Sequence, residues 1–460
     1  MKLWILIALL LPVLGRAESA RPNLLILLAD DLGWADVGYN GGQDYRTPQL
    51  DRLAATGVKL TDFRACPMCS PTRAGLLTGR WPLRFGLMRA VVPPWSAHGL
   101  PHSEATLPER LSGAGYERRG IIGKWHLGHS RQVHHPLHHG FTHFVGCYNG
   151  AVDYFTRERD GETDWHHNRE TVREPGYTTD LIGEHAVRFI EASPTGQPWL
   201  LYVPFTAPHS PYQAPAEAMQ KQTRFKRPER RAYAAMIESL DQNVGRILAA
   251  VEARPDADNT LVLFFSDNGG IARAGASNGP WRGGKLSVHE GGTRVCAAIR
   301  WPAGGLGGGR SFGGRIGYID VLPTLLAAAG VPIAAELPSP DGINVLPALR
   351  GGAELPDRPW FSYLHQNEDA HASVHLGRWK LVAQGDFFAE APARPPVLEL
   401  YDLESDPGET RDLRATEAQR VRDLHTALRE FGSWHQPGVG RYDEGREGFR
   451  APKDWIITPP

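Results

Sequence analysis

Four short apolar runs of this chain each stop at a cluster of acids, amides, lysine or histidine, and that pattern constrains the fold more than any other feature. Residues 23–28 have the continuous apolar character of a strand buried on both faces, and Asp30-Asp31 follow at once. Residues 116–122 form a weaker run that ends in Gly123-Lys124-Trp125-His126. Residues 199–203 lead to Ala207-Pro208-His209, and residues 261–265 run straight into Ser266-Asp267-Asn268-Gly269-Gly270. Helical segments lie between them: 48–56, with Thr47 as cap and Gly57 as stop; 180–192; and 229–253, bounded by Pro228 and Pro255. Such alternation predicts an α/β fold, a large and mostly parallel sheet flanked by helices. Its ligands would bind outside the carboxyl ends of the strands, where all four clusters fall.

Asp30, Asp31, Asp267 and Asn268 offer only oxygen donors, three carboxylates and an amide carbonyl. Ca²⁺ or Mg²⁺ takes such a set, whereas Zn²⁺ favours His and Cys. Asp30-Asp31 alone would read as a strand-end turn or a helix cap; Asp267-Asn268 and the motif at Cys69, taken together, favour a metal site instead. Cys69 sits ahead of a short predicted helix, with Ser70 as cap, Pro71 in the first turn and Gly79 as stop. Unpaired N–H groups at such a helix start favour an anion.

The run Cys69-Ser70-Pro71-Thr72-Arg73 is followed by Leu76-Leu77-Thr78-Gly79-Arg80. Upstream stand Thr47-Pro48-Gln49-Leu50-Asp51-Arg52-Leu53 and Cys66-Pro67-Met68. Together they resemble the signature of the type I, formylglycine-dependent sulfatases of the alkaline phosphatase superfamily. The resemblance implies that a formylglycine-generating maturase oxidises Cys69 to Cα-formylglycine, whose hydrated aldehyde is the nucleophile. It further implies that Asp30, Asp31, Asp267 and Asn268, with a hydroxyl of the modified Cys69, hold Ca²⁺, Mg²⁺ being the alternative. Arg73, Lys124 and Lys285 would supply fixed positive charge around the sulfate. Lys285 stands in Asn278-Gly279-Pro280-Trp281-Arg282-Gly283-Gly284-Lys285, which is similar to the family's lysine loop. His209 or Lys285 would protonate the leaving alcohol, and His126 would take the proton whose loss expels sulfate. Two departures stand out: Thr72 where Ser is usual, and Glu117-Arg118-Arg119 where the family has an early Thr or Ser.

The stretch Phe141-Thr142-His143-Phe144 through Tyr154-Phe155 resembles the arylsulfatase B branch, which removes 4-sulfate from N-acetylgalactosamine. A sulfated carbohydrate or aryl sulfate substrate is thereby implied, with Trp125, Trp281 and the aromatics of that stretch flanking a sugar ring. The alternatives are a formylglycine-dependent phosphonate or phosphate ester hydrolase, and an inactive glycan-binding relative in which Cys69 stays unmodified.

Lys2, the apolar run 3–14 and Gly15-Arg16-Ala17 read as a signal peptide over residues 1–17. This predicts an exported protein, periplasmic or secreted, and the lack of any Asn-x-Ser/Thr acceptor points to a bacterial source. No other apolar run approaches membrane-spanning length, so no stable membrane insertion is expected. The 50 basic and 51 acidic residues give a net charge of −1, which excludes the general basic field of a nucleic-acid-binding protein. The catalytic domain is placed at 18–345 and a small C-terminal α+β subdomain at 346–460, with strands near 360–365, 372–376, 379–382 and 398–401 and a helix over 417–431. Gly304-Gly305-Leu306-Gly307-Gly308-Gly309-Arg310-Ser311 has a phosphate-loop spacing without the lysine or a following helix and reads as a loop. His134-His135-Pro136-Leu137-His138-His139 reads as a Pro-broken loop beside the active face rather than a metal tract.

Overall fold

A computed structural model describes residues 21–367, 369–385 and 395–457. The proposed signal peptide lies outside the described residues. In chain order the elements that build the site are β1 (Asn23–Ala29), α1 (Pro48–Thr56), β2 (Val58–Arg64), α2 (Cys69–Thr78), β3 (Arg118–Lys124), β4 (His143–Cys147), α3 (Thr178–Glu191), β5 (Trp199–Pro204), α4 (Pro228–Glu252), β6 (Thr260–Ser266) and β7 (Arg294–Arg300). The sheet has eleven strands, and its middle, in the order β6-β1-β5-β3-β4, is parallel throughout. β7 runs antiparallel to both β6 and β2, and His166–His167 runs antiparallel to β4. The sheet is thus mixed at its flanks around the mostly parallel body that the sequence predicted. The antiparallel strands escape a period-based reading because β7 is as apolar in its middle as the parallel strands.

β1 explains its own centrality. Leu24, Ile26 and Leu28 enter the core on one face, and Leu25, Leu27 and Ala29 enter the core on the other. Each buried leucine is worth about 1.5–3 kcal/mol relative to exposure, so an edge position would waste one whole face of the strand. The second core is roofed by α1, α3 and α4 through Leu50, Leu53, Ile182, Phe189, Ile237 and Leu240. The first is covered by α2 through Leu76 and Leu77 and by Leu322 and Leu326.

β3 starts at Arg118, two residues later than the pattern predicts. Gly115, at φ 79°, turns the chain, and Tyr116 buries its ring with its hydroxyl donating to Pro22 O at 2.7 Å. The charged pair is tolerated because it occupies the strand's outer end. Arg119 reaches Gly140 O at 2.7 Å and Arg118 lies over the Phe189 ring. The glycine-rich run after Trp301 ends in the strand Arg310–Phe312 on β2, not in the helix a phosphate loop needs.

β8 (Trp360–Leu364), β9 (His371–Leu376), β10 (Trp379–Gln384) and β11 (Val397–Asp402) form an antiparallel sheet in sequence order. α5 (Ala418–Gly432) packs on it, Phe431 stacking on Phe361 with ring centroids 4.4 Å apart. Leu364, Val382 and Tyr401 of this sheet close over Met68, Val91 and Val288. Beside that apolar contact runs a buried ionic one. Lys380 Nζ lies 2.9 Å from Glu290 and 3.0 Å from Glu409, Arg64 is 2.6 Å from Glu290, and His289 is 3.1 Å from Glu409. Among the described residues no helix is long and apolar enough to cross a membrane.

Removing one partner from a buried ion network leaves the rest uncompensated. Lys380→Ala should therefore lower stability by about 3–5 kcal/mol in urea titrations. A midpoint equal to wild type would show that the network does not fasten the small sheet to the large one.

Candidate active site

The parallel register brings the four polar clusters to one place. Ala29 pairs with Ser266 and Leu28 with Pro204, so the residues after β1, β5 and β6 emerge side by side. The pairing continues past the strands: Asp267 N–H donates to Ala29 O and Asp30 N–H to Ala207 O, both at 3.0 Å. On the far side Trp125 N–H donates to Cys147 O and His126 N–H to Tyr148 O, which carries the β3 end to the same level.

α2 points its first turn at this assembly. Cys69 is itself the first helical residue and Met68 the cap, so Ser70 is not the cap that the sequence suggested. Its hydroxyl is used elsewhere, donating to His126 O at 2.9 Å and accepting from Val92 N–H at 3.0 Å. Thr72 Oγ1 accepts from Cys66 N–H at 2.9 Å and donates to Asp267 O at 2.6 Å. The threonine thus does with its hydroxyl what a serine there would do. Gly79, at φ 69°, ends the helix as expected.

All the predicted site residues meet here. Asp30 is paired with Lys124 and lies 3.4 Å from Arg73 Nη2. Arg73 Nη2 is 2.8 Å from Asp267 Oδ2, and Nη1 donates to Lys124 O at 2.8 Å. Lys285 Nζ is 2.7 Å from Asp31 Oδ1, and Asn268 Nδ2 donates to the same oxygen at 2.7 Å. Cys69 Sγ lies 3.5 Å from Asp30 Oδ1 and 3.5 Å from Lys285 Nζ. His209 Nε2 is 3.7 Å from Asp31 Oδ2. Donor atoms of Asp30, Asp31, Cys69 and His209 all fall within 4.8 Å of one another. Asp267 is turned to Arg73 and to Asp31 N–H. Asp31 and His126 hold left-handed backbone conformations, φ 66° and 55°, a strain that persists where the surroundings over-determine it.

The charges explain one another. Burial alone would raise the Asp30 carboxyl, but Lys124, His209, Arg73 and Lys285 hold it well below the usual carboxylate range. Burial, then Asp30, pushes Asp267 upward. Burial works against the Lys285 charge, yet Asp31, Cys69 and Asp30 keep it protonated far above an ordinary lysine. Burial, with Asp30 next, pushes the Cys69 thiol up to about 12. Burial pushes His126 well below its usual value, with Lys124 and Arg73 adding to the effect, and burial and Lys285 push His209 down to about 4.

The family model described as Sulfatase matches residues 22–331. The chain belongs to the sulfatase family. It is 36% identical over 398 residues to the N-acetylgalactosamine-6-sulfatase of Canis lupus familiaris, covering 80% of this chain and 73% of that one. It is 32% identical over 522 residues to the steryl-sulfatase of Mus musculus, covering 88% and 81%. A solved structure, Ps i-CgsB in complex with k-i-k-neocarrahexaose, superposes with a TM-score of 0.84 at 30% identity over 92% of this chain and 95% of that one. The fold is accordingly alkaline-phosphatase-like and the activity sulfuric ester hydrolysis.

A divalent cation fits the residues of this sulfatase. Asn268 Oδ1 is buried without a hydrogen-bond partner while its Nδ2 is used twice, on Asp31 and on Gly269 O. An amide oxygen stranded beside three carboxylates is what a hard cation takes as ligand. Three cations, Arg73, Lys124 and Lys285, face the three carboxylates, so the charge of such an ion is left for a sulfate to answer.

Two supporting residues have roles that the sequence does not show, although Asn278 stands in the lysine-loop motif. Asn278 holds the lysine loop, accepting from Gly270 N–H at 2.8 Å and donating to Gly270 O at 2.9 Å. Asp164 accepts from the N–H groups of Tyr148 and Asn149 at 2.9 and 2.8 Å, which fixes the turn containing Gly150. Lone amides and acids in loops give no pattern to read. The expected sugar-flanking aromatics are mostly elsewhere. Trp125, Phe144, Tyr148 and Tyr154 are buried: Trp125 follows β3 and donates to His134 O at 2.9 Å, Phe144 points into the core from β4, and Tyr148 and Tyr154 lie in the segment after β4, which folds back onto the domain. Phe155 is exposed, and Trp281 is half-buried against Trp34.

A Cβ at Gly150 would lie 2.4 Å from both Cε1 and Nε2 of His126. Gly150→Ala should displace that ring and lower kcat on the order of 10²-fold, with the urea midpoint nearly unchanged. Unaltered kcat would mean that the position of His126 does not matter to turnover.

Proposed function

We propose that residue 69 acts as formylglycine, that Asp30, Asp31, Asp267 and Asn268 hold one divalent ion, Ca²⁺ before Mg²⁺, and that the substrate is a sulfated carbohydrate. The observation that carries the reading is Cys69 Sγ at 3.5 Å from both Asp30 Oδ1 and Lys285 Nζ. A group at that point touches the metal-binding acids on one side and a fixed ammonium on the other. The hydrated aldehyde would supply a hydroxyl nucleophile, and the ion would favour its ionised form and polarise a sulfate oxygen.

The chain's own side chains account for the rest. Arg73 and Lys124 are fully buried and locked by ion pairs, so their charges need no reorganisation during turnover. His126 Nε2 donates to Val92 O at 3.0 Å, which leaves Nδ1, without a partner, as a base for the second hydroxyl of residue 69. His209 Nδ1 donates to Ser210 O at 2.6 Å, so Nε2 is the atom presented to the site. Lys285 stays protonated and is the standing acid for the leaving oxygen, with His209 able to assist once a sulfate charge sits beside it.

Galacto-configured sugars are favoured because one relative is named for N-acetylgalactosamine sulfate and a structural neighbour binds k-i-k-neocarrahexaose. We place the catalytic domain at 18–345 and the small subdomain at 346–460, and we take residues 1–17 as an export signal cleaved on the way to the periplasm or exterior. A maturase of the host would install the formylglycine.

A panel of the 4- and 6-sulfates of N-acetylgalactosamine, nitrophenyl sulfate and a phosphonate monoester, assayed with wild type and Cys69→Ala, tests the proposal. Wild type should prefer a sulfated sugar and the variant should fold but lose turnover of every substrate. Preference for the phosphonate, indifference to both sugars, or full activity of the variant would overturn it.

A further inference from the structure

The histidine tract at 134–139 has a partner set that its own sequence does not contain. It folds into two short 3₁₀ turns, Gln132–His134 and Pro136–His139. Within it, the His134 and His135 rings have local partners: His134 Nδ1 lies 3.4 Å from Ser130 Oγ, and His135 bonds Asn168 O and Leu137 N–H at 3.0 and 3.1 Å. His139 is different. Its side chain is fully buried and neither ring nitrogen has a hydrogen-bond partner, the Val133 carbonyl lying near but out of hydrogen-bonding geometry.

What faces it is a donor set. Donor atoms of His102, Glu109 and His139 lie within 4.8 Å of one another. Glu109 Oε2 accepts from Thr106 N–H at 2.7 Å with Thr106 Oγ1 2.8 Å away, and Oε1 lies 3.9 Å from His102 Nδ1. Thr106 Oγ1 also lies 2.7 Å from His139 O, so Glu109 and His139 are held on one rigid post. The remaining donor, His102, has a side chain 66% exposed, free to move the short distance needed. Ligand atoms at ~2.0–2.1 Å from a tetrahedral Zn²⁺ sit about 3.3 Å apart, so a shift of well under a rotamer closes the set.

We propose that His102, Glu109 and His139 form a second metal site, for a first-row transition metal ion of the Zn²⁺ class, with one coordination position left to water. Two imidazoles and a carboxylate suit zinc, and they differ in kind from the all-oxygen cluster at the catalytic centre. Glu109 arrives with its second oxygen already anchored, the outer-shell support that such ligands need. The other histidine–carboxylate group among the described residues, His167-Glu174-His185, contrasts with it. There both Nε2 atoms already bond Glu174, at 3.4 and 2.9 Å, so that cluster needs no ion to be satisfied. The proposed ion would brace His139 against Trp125, 5.6 Å away between ring centroids, and so steady the residue between Lys124 and His126.

The test is calorimetric titration of Zn²⁺ into the untagged full chain held in excess Ca²⁺, with Co²⁺ absorption as a second readout. Wild type should take up one Zn²⁺ per chain, gain Tm on binding, and give tetrahedral Co²⁺ bands. His102→Ala, an exposed substitution, should weaken Zn²⁺ at least tenfold and abolish the bands and the Tm gain. His139→Asn should do the same, while His167→Ala should bind as wild type does. No zinc uptake by wild type, equal affinity in His102→Ala, or loss of binding in His167→Ala alone would overturn the proposal.

Discussion

Asp30 has no exposed surface, and a carboxylate in that position survives only because Lys124 and Arg73 converge on it from two other elements. Removing one partner from such a buried pair costs about 3–5 kcal/mol, a large share of a domain's net stability. The requirement ties β1 to the end of β3 and to α2, and through Arg73 it reaches Asp267 at the end of β6. Once those elements are joined, Cys69 at the start of α2 has nowhere to lie but against Asp30 and Lys285. The active site and the register of the parallel centre are thus one constraint seen from two sides.

The small sheet belongs to the same construction. Val382 and Tyr401 pack against Met68, the residue before Cys69, and against Val288, three residues after Lys285. Lys380 neutralises Glu290 and Glu409 at the foot of the lysine loop. The loop's glycines contribute little rigidity, so the position of the Lys285 ammonium depends on what holds both of its ends. Asn278 holds one end and the ionic contact with the small sheet holds the other.

What could be read in advance followed from local signals. The apolar runs that became β1, β5 and β6 and the helices α1, α3 and α4 were legible from period and punctuation, because burial on both faces and proline or glycine boundaries leave marks in the chain. The cluster of Asp30, Asp31, Cys69, Arg73, Lys124, His126, His209, Asp267, Asn268 and Lys285 was legible because each residue sits at a strand end or in a recognisable motif. β7 was not legible as a strand at all, and an antiparallel strand with an apolar middle would in any case look like a parallel one. Nor was the burial of Trp125, Phe144, Tyr148 and Tyr154. Aromatics look alike in sequence whether they pack inward or face a ligand; Phe144 is buried because it lies on β4, and Tyr148 and Tyr154 because the chain folds back after it. Asp164 acts through the backbone of Tyr148 and Asn149, and Asn278, though part of the lysine-loop motif, acts through the backbone of Gly270; residue type alone marks neither role.

The central claim is that residue 69 works as formylglycine and not as a thiol, and its place at the start of α2, 3.5 Å from both Asp30 Oδ1 and Lys285 Nζ, is the physical reason to expect it. Peptide mass spectrometry across residues 64–80, on preparations made with and without a maturase, measures the converted fraction directly. Sulfatase turnover should rise in proportion to that fraction and extrapolate to zero where only Cys69 is present. Full turnover in protein carrying only the free thiol would contradict the account.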